Sequence, residues 1–487
     1  MFETWFFLLL QHLFTNVIIP IFTWILFIWI LFWKKLKGFI LYIISFFIWV
    51  WIISSSLFNL QFIYFWVWIF EYFIINIILI IILITKIFLK KQKTTSYIDT
   101  LKMHFSFEEI KKSFKKLTLS KKILSILSLV FVFWFSTVAF IFNSNFPTYA
   151  DDSFGNWHTA TINIHNDGWI KLFWKKEGIL WRWREWYPIY IPTYKAFISK
   201  INWWFNDIYI NLLQYLWFLF FIIFIFKITF EKTKNIFLWL FPLVLICGLP
   251  LVFFHSVEWY MELYSAIYSV FFIYFLHKFL EKNDYNNLVL WFLFWFFLIN
   301  IKNEWLIVYF IWICFAFLTV LLLQKKLIKF FKELYQKHIY ILKIFLSFCY
   351  ISLPFFLIRF IYWLWFNPVK SEKLVSFHPE IFNYFPVIFI REDNYNISII
   401  FIVLFSIILC IKYINFKKIY NLLFPYLSFL YIFIIFTLVF LLTDNYKWVL
   451  NQTTVNRVFT MSFVILFSFS WLFFDFHKSK KNIIYEK

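Results

Sequence analysis

The chain has 487 residues, 63% hydrophobic, 27% aromatic and only 15% charged, with a formal net charge of +21 and a mean hydropathy of +0.78. Apolar runs of bilayer length recur along it, which excludes a water-soluble fold and specifies an all-α polytopic membrane protein. The charge excess is mostly lysine beside apolar runs, so its partner is the anionic lipid leaflet rather than nucleic acid. The cysteines Cys247, Cys314, Cys349 and Cys410 all lie inside apolar runs, which leaves neither a disulfide framework nor a zinc site.

A bilayer core needs about 20 apolar residues per helix, and that rule predicts about 13 transmembrane helices between Trp5 and Phe474. They form a single membrane domain over 1–487, with no internal repeat and no Gly/Ser linker. The opening MFETWFFLLLQHLF has no basic n-region and no small-residue cleavage site, so it reads as a retained first helix. Lys34, Lys35 and Lys37 follow it. Segment 89–122 is a basic connection in which Phe107, Ile110, Phe114 and Leu117 recur at helical spacing opposite lysines. That pattern predicts an amphipathic helix lying on anionic lipid.

Segment 144–207 is the first large outer loop, and it carries most of the chemistry. Asp151 and Asp152 open it, a helix is predicted over Ser153–Asn166, and Lys175, Lys176, Arg182 and Arg184 lead to Glu185, Tyr187 and Pro188. Short surface helices are expected here. An acid pair beside a basic, aromatic platform suits a sugar or phosphate substrate; helix N-capping by the aspartates is the plain alternative. His158 and His165 read as polar loop residues. Further on, HSVEWYMEL groups His255, Glu258, Tyr260 and Glu262, and INIKNEWL sets Lys302, Asn303 and Glu304 in a hydrophobic hairpin. Ionisable groups at membrane depth are costly unless paired or functional, and a local Lys302–Glu304 contact is the simpler account. Lys325, Lys326, Lys329, Lys332 and Lys337 fill another basic connection. Segment 366–396 is a second outer loop with His378, Glu380, Arg391, Glu392 and Asp393. Arg457 precedes the last span, and Lys478, Lys480 and Lys481 follow it.

By the positive-inside rule the lysine-rich connections are cytoplasmic, which puts Asp151, His255, Glu304, His378 and Asp444 together on the extracytoplasmic face of a bacterial inner membrane.

Glycine averages roughly 7% of residues and is raised in membrane helices, yet this chain has 5 Gly and 28 Trp. A gene from a lineage that reads UGA as glycine, translated with UGA as tryptophan, produces this exchange. Interfacial aromatic belts are the other source of tryptophan, but they do not account for Trp181 and Trp183 in a polar loop.

With tryptophan read as glycine the chain yields DDSFGNWH with Trp157 kept, then GRGREGYPI from Trp181, HSVEGYMEL, KNEG and NYKGVLNQTTVNRVF. In that order, over Asp151 to Phe459, these motifs resemble the multi-spanning GT-C glycosyltransferases that use a lipid-phosphate sugar donor, the group containing the protein mannosyltransferases. The chain departs from that pattern in its three spans ahead of the basic loop and in Glu262, where Asp is commoner.

The resemblance implies transfer of a sugar from a polyprenyl-phosphate donor to an acceptor hydroxyl on a glycan, lipid or protein. Asp151 or Asp152 is then the general base, with inversion at the anomeric carbon. Arg182, Arg184, Lys302 and Arg457 are the candidates for the donor phosphate. His255, Glu258, Tyr260, Glu262, Asn303, Glu304 and Tyr187 are the substrate-binding candidates. Arg457 also fits a side chain snorkelling to the interface. No redox cofactor is required; a divalent cation on the Asp151–Asp152 pair is the open alternative. Two other classes stay in view: a lipid-linked polysaccharide polymerase or O-antigen ligase, for which the 366–396 loop speaks, and a secondary transporter.

Overall fold

A computed structural model describes residues 38–63, 107–149, 153–167, 188–201, 205–258, 260–302, 310–323, 325–361, 376–391, 420–450 and 453–470, with isolated positions at 77–85 and 404. Helix is the only regular structure among them. In chain order the helices used below are α1 (Gly38–Ile63), α2 (Phe107–Lys115), α3 (Leu119–Asn145), α4 (Thr159–Asp167), α5 (Tyr190–Ile201), α6 (Asp207–Thr233), α7 (Ile236–Cys247), α8 (Pro250–Val257), α9 (Met261–Lys282), α10 (Tyr285–Ile299), α11 (Phe310–Leu323), α12 (Leu327–Gln336), α13 (His338–Ile351), α14 (Leu353–Ile361), α15 (Ile381–Pro386), α16 (Tyr420–Leu442), α17 (Lys447–Leu450) and α18 (Thr453–Ser468).

Among the described residues five helices are long and apolar enough to cross a bilayer, or six if the bent pair α7–α8 is one span. Four further apolar helices run only 10–17 residues. The expected count of about 13 also draws on stretches before Gly38, around 64–84 and around 397–414, which apart from the isolated positions at 77–85 and 404 lie outside the described residues.

Helix α9 is the axis of the bundle. It is buried from Met261 to Leu280 apart from Lys278 and packs against α8, α10, α16 and α18. Helix all of whose faces are apolar belongs in such a position. Asn206 and Asn235 cap α6 and α7, their side-chain oxygens accepting from Ile208 N and Phe237 N at 3.0 Å. α6 and α9 end on Lys234 and Asn283 with φ of 51° and 53°, left-handed positions that stop a helix and turn the chain back.

Three expectations are corrected. The helix α3 begins at Leu119, so the last residues of 89–122 belong to a spanning helix. In α2, Ile110 and Phe114 pack on the bundle core and Glu109 pairs with Lys234 at 3.0 Å, so this helix docks on protein. In segment 144–207, α5 is no surface helix: its residues from Tyr190 to Ser199 are buried. Tyr190 stacks on Phe58 of α1, ring centres 5.3 Å apart, and the polar Thr193, Lys195 and Ser199 are buried with it. The helix expected over Ser153–Asn166 is present as a π-helical turn at Ser153–His158 that continues into α4.

Candidate functional site

The site begins where α7 ends. Gly248 and Pro250 break the span, and α8 leaves it at 73°. Gly248 is required there, since a Cβ would meet Val244 O at 2.9 Å, while Pro250 suits the first position of α8 because it needs no amide donor. The bend carries His255 and Ser256 into the interior. Glu258 and Tyr260, which precede α9, each have extended dihedrals, and the Tyr260 amide donates to Glu258 O at 2.8 Å.

Glu262 lies in the first turn of α9, where a carboxylate meets the positive end of the helix dipole. The α9–α10 hairpin returns the chain to the same level, and Lys302, just past α10, places Nζ 2.8 Å from Glu262 Oε1. Only 6% of the Glu262 side chain and 17% of the Lys302 side chain are exposed. Arg457 on α18 holds its guanidinium 4.9 Å from the Tyr260 ring centre, a cation–π contact. Tyr260 also lies beside His255, ring centres 5.1 Å apart. Glu262, Lys302 and Arg457 all act electrostatically on His255. One carboxylate, two cations, an imidazole and a phenol therefore converge at one end of the bundle.

Gln214 on α6 holds this arrangement from behind. Its Nε2 donates to His255 O at 2.5 Å and to Glu258 O at 2.9 Å, and the Tyr264 hydroxyl donates to its Oε1. Asn143 Nδ2 donates to Ser256 O at 3.0 Å. The Glu258 carboxylate accepts from Tyr149 N at 3.3 Å, and Asn211 joins Thr148 and the Phe146 carbonyl at 3.1 Å each. The chain leading to the aspartate pair is thus tied to the same end of the bundle. Burial, and then the Glu258 charge, push the Tyr149 phenol upward.

A second buried polar group adjoins the first. His158 Nε2 meets Asp207 Oδ1 at the start of α6, and Lys195 of α5 lies within electrostatic range of both Asp207 and Glu258. Burial drives the Lys195 ammonium well below its ordinary range, against the two carboxylates. Burial also lowers His158, opposed by its bond to Asp207. His158 and His165 are buried against Phe205 rather than polar loop residues.

A third group lies in segment 376–391 and the turn at Asp444–Tyr446. His378 stacks on Tyr446 with ring centres 3.7 Å apart, its Nδ1 2.9 Å from Glu380 Oε1 and its Nε2 2.5 Å from Ser376 Oγ. Ser376 Oγ also donates to Asp444 Oδ1 at 3.3 Å. The His378 contact holds the Glu380 carboxyl below its usual range, after its own backbone amide.

Of the sequence-derived site residues, His255, Glu258, Tyr260, Glu262, Lys302 and Arg457 come together. Asp151, Asp152, Arg182, Arg184, Tyr187, Asn303 and Glu304 lie outside the described residues. Sequence reading missed Gln214, Asn143, Lys195 and Asp207. Gln214 in INLLQYLW and Lys195 in YIPTYKAF are polar residues inside apolar surroundings, which was the available signal. Among the described residues no three acids, histidines or cysteines are grouped to hold a metal ion. No family model, curated protein or solved structure matches the chain.

Proposed function

We propose that the protein is a multi-pass membrane glycosyltransferase of the bacterial inner membrane, with about 13 spans, that moves a sugar from a polyprenyl-phosphate donor to an acceptor hydroxyl on the extracytoplasmic face. The observation that carries this reading is the meeting of Glu262, Lys302, Arg457, His255 and Tyr260 beside the segment that runs from Tyr149 towards the aspartate pair. A phosphate suits the two cations, and arginine and lysine give it a fork and a point charge. Asp151 or Asp152 takes the acceptor hydroxyl proton, the acceptor oxygen bonds to the anomeric carbon, and the bond from that carbon to phosphate oxygen breaks. Polyprenyl phosphate leaves with the electron pair, and Arg457 and Lys302 stabilise its charge.

The test uses membranes carrying the full chain and a polyprenyl-phosphate donor labelled in its sugar. Parent membranes transfer label to endogenous acceptor, and Asp151→Asn or Asp152→Asn lowers transfer by about 10²–10⁴-fold with insertion unchanged. Full transfer by both single variants and by the double variant removes the general base from the proposal. A second reading, lipid-linked polysaccharide polymerase or ligase, draws on the His378 group, where the imidazole links a serine hydroxyl to a carboxylate. Loss of transfer in His378→Ala with the aspartate variants fully active would favour it.

A further inference from the structure

Trp217 of α6 and Trp239 of α7 are buried, 1% and 2% exposed, and both are crowded. The Trp217 ring centre is 4.0 Å from that of Tyr264 at an interplanar angle of 77°. Trp239 is 3.7 Å from Phe226 at 75°. Aromatic pairs settle with centres about 4.5–7 Å apart, and an edge-on pair cannot close further, because the edge of one ring then enters the face of the other. A parallel pair can: His378 and Tyr446 reach 3.7 Å at 11°.

Tyr264, the ring partner of Trp217, donates its hydroxyl to Gln214 Oε1, and Gln214 is the side chain that holds the His255 and Glu258 carbonyls. Each indole N–H is also buried with no acceptor among the described residues, although buried tryptophan ordinarily finds one. Trp239 stands where α7 packs on α6, a contact of the kind at which membrane bundles use small residues to bring backbones close, while Trp217 meets α9 through the Tyr264 ring.

We infer that positions 217 and 239 are glycine in the native protein, and that the shortage of glycine and excess of tryptophan have one origin. The 5 glycines and 28 tryptophans together approach the roughly 7% of glycine usual in proteins. Codon reading of this kind exchanges one residue for the other and leaves the remaining sequence intact. With glycine at 217, Tyr264 gains room beside Gln214.

The experiment needs no assay of activity, so it stands apart from the glycosyltransferase reading. Full-length parent, Trp217→Gly, Trp239→Gly and the double variant are purified in detergent and their Tm compared, with Trp157→Gly as the control. Trp157 is also buried, 4% exposed, and its motif keeps tryptophan. Removing a well-packed tryptophan lowers stability, whereas removing an overpacked one raises it. The expected result is a higher Tm for the 217 and 239 variants and a lower one for Trp157→Gly. A fall at both positions matching the control overturns the inference. Masses of peptic peptides covering 217 and 239 from native membranes decide it independently: glycine masses support it and tryptophan masses end it.

Discussion

Glu262 and Lys302 meet at 2.8 Å, largely out of solvent, so neither can lose its partner without leaving a buried charge, a loss of about 3–5 kcal/mol for such pairs. Their arrangement reads as a built feature, since a hydrophobic pair of the same volume is often no less stable. Lys195 poses the same problem with a pH dependence attached. Burial lowers its folded pKa well below the ordinary value, so between that lowered value and about 10.4 the unfolded chain binds the proton and the folded chain does not. Stability therefore rises with pH across that window. His158, also lowered by burial, acts in the same sense at lower pH: its contribution is complete above about 6.5 and is lost as pH falls towards the folded value. The parent Tm is expected to rise from neutral pH towards about 10, and Lys195→Met to flatten that rise. A slope unchanged in Lys195→Met would assign the effect to other groups.

Among the elements, the bent pair α7–α8 decides where the site is. The Gly248 amide donates to Val244 O at 2.8 Å, and an added Cβ would lie 2.9 Å from that same oxygen, so Gly248→Ala must either lose the bond or open the 73° bend. A destabilisation of about 1–3 kcal/mol is expected, the range for inserted carbon in a packed site, measured as a fall in Tm. An unchanged Tm would mean that the bend adjusts freely. Local pattern made some elements legible in advance. Periodicity located α2 and the helix from Ser153, and the grouping HSVEWYMEL marked four residues that do converge. What stayed hidden depends on register between distant elements. Lys302 meets Glu262, forty positions away, only because α9 and α10 return to one level, and no motif encodes that length. Gln214, Lys195 and Asp207 sit in apolar or capping contexts that local reading assigns to core or helix start. Their partners come from elements distant in sequence: His255 of α8 and Tyr264 of α9 for Gln214, and His158 of the turn before α4 for Asp207.

For the molecule as a whole, the lysine-rich segments and the site occupy opposite ends of the bundle. Glu109 of α2 meets Lys234 at the α6–α7 turn, Lys232 meets Glu281 near the end of α9, and Asn283 at the α9–α10 turn reaches Glu333 of α12 at 3.1 Å. The site lies at the other end of α9, which is 22 residues long, about 33 Å at 1.5 Å per residue and close to the roughly 30 Å of a hydrocarbon core. On α12, Lys329 is 71% exposed beside Ile328 and Tyr335 at 86% and 85%, the mixed basic and apolar surface that suits an anionic headgroup layer. If that layer is the cytoplasmic leaflet, as the positive-inside rule requires, the site opens on the far side. In a chain with its four cysteines replaced, Lys329→Cys is expected to react with a membrane-impermeant thiol reagent only in inverted vesicles, and Glu380→Cys, 43% exposed on its side chain, only in intact spheroplasts. The reverse pattern would put Glu262, Lys302 and Arg457 on the cytoplasmic side and replace the extracytoplasmic donor with one presented from within the cell.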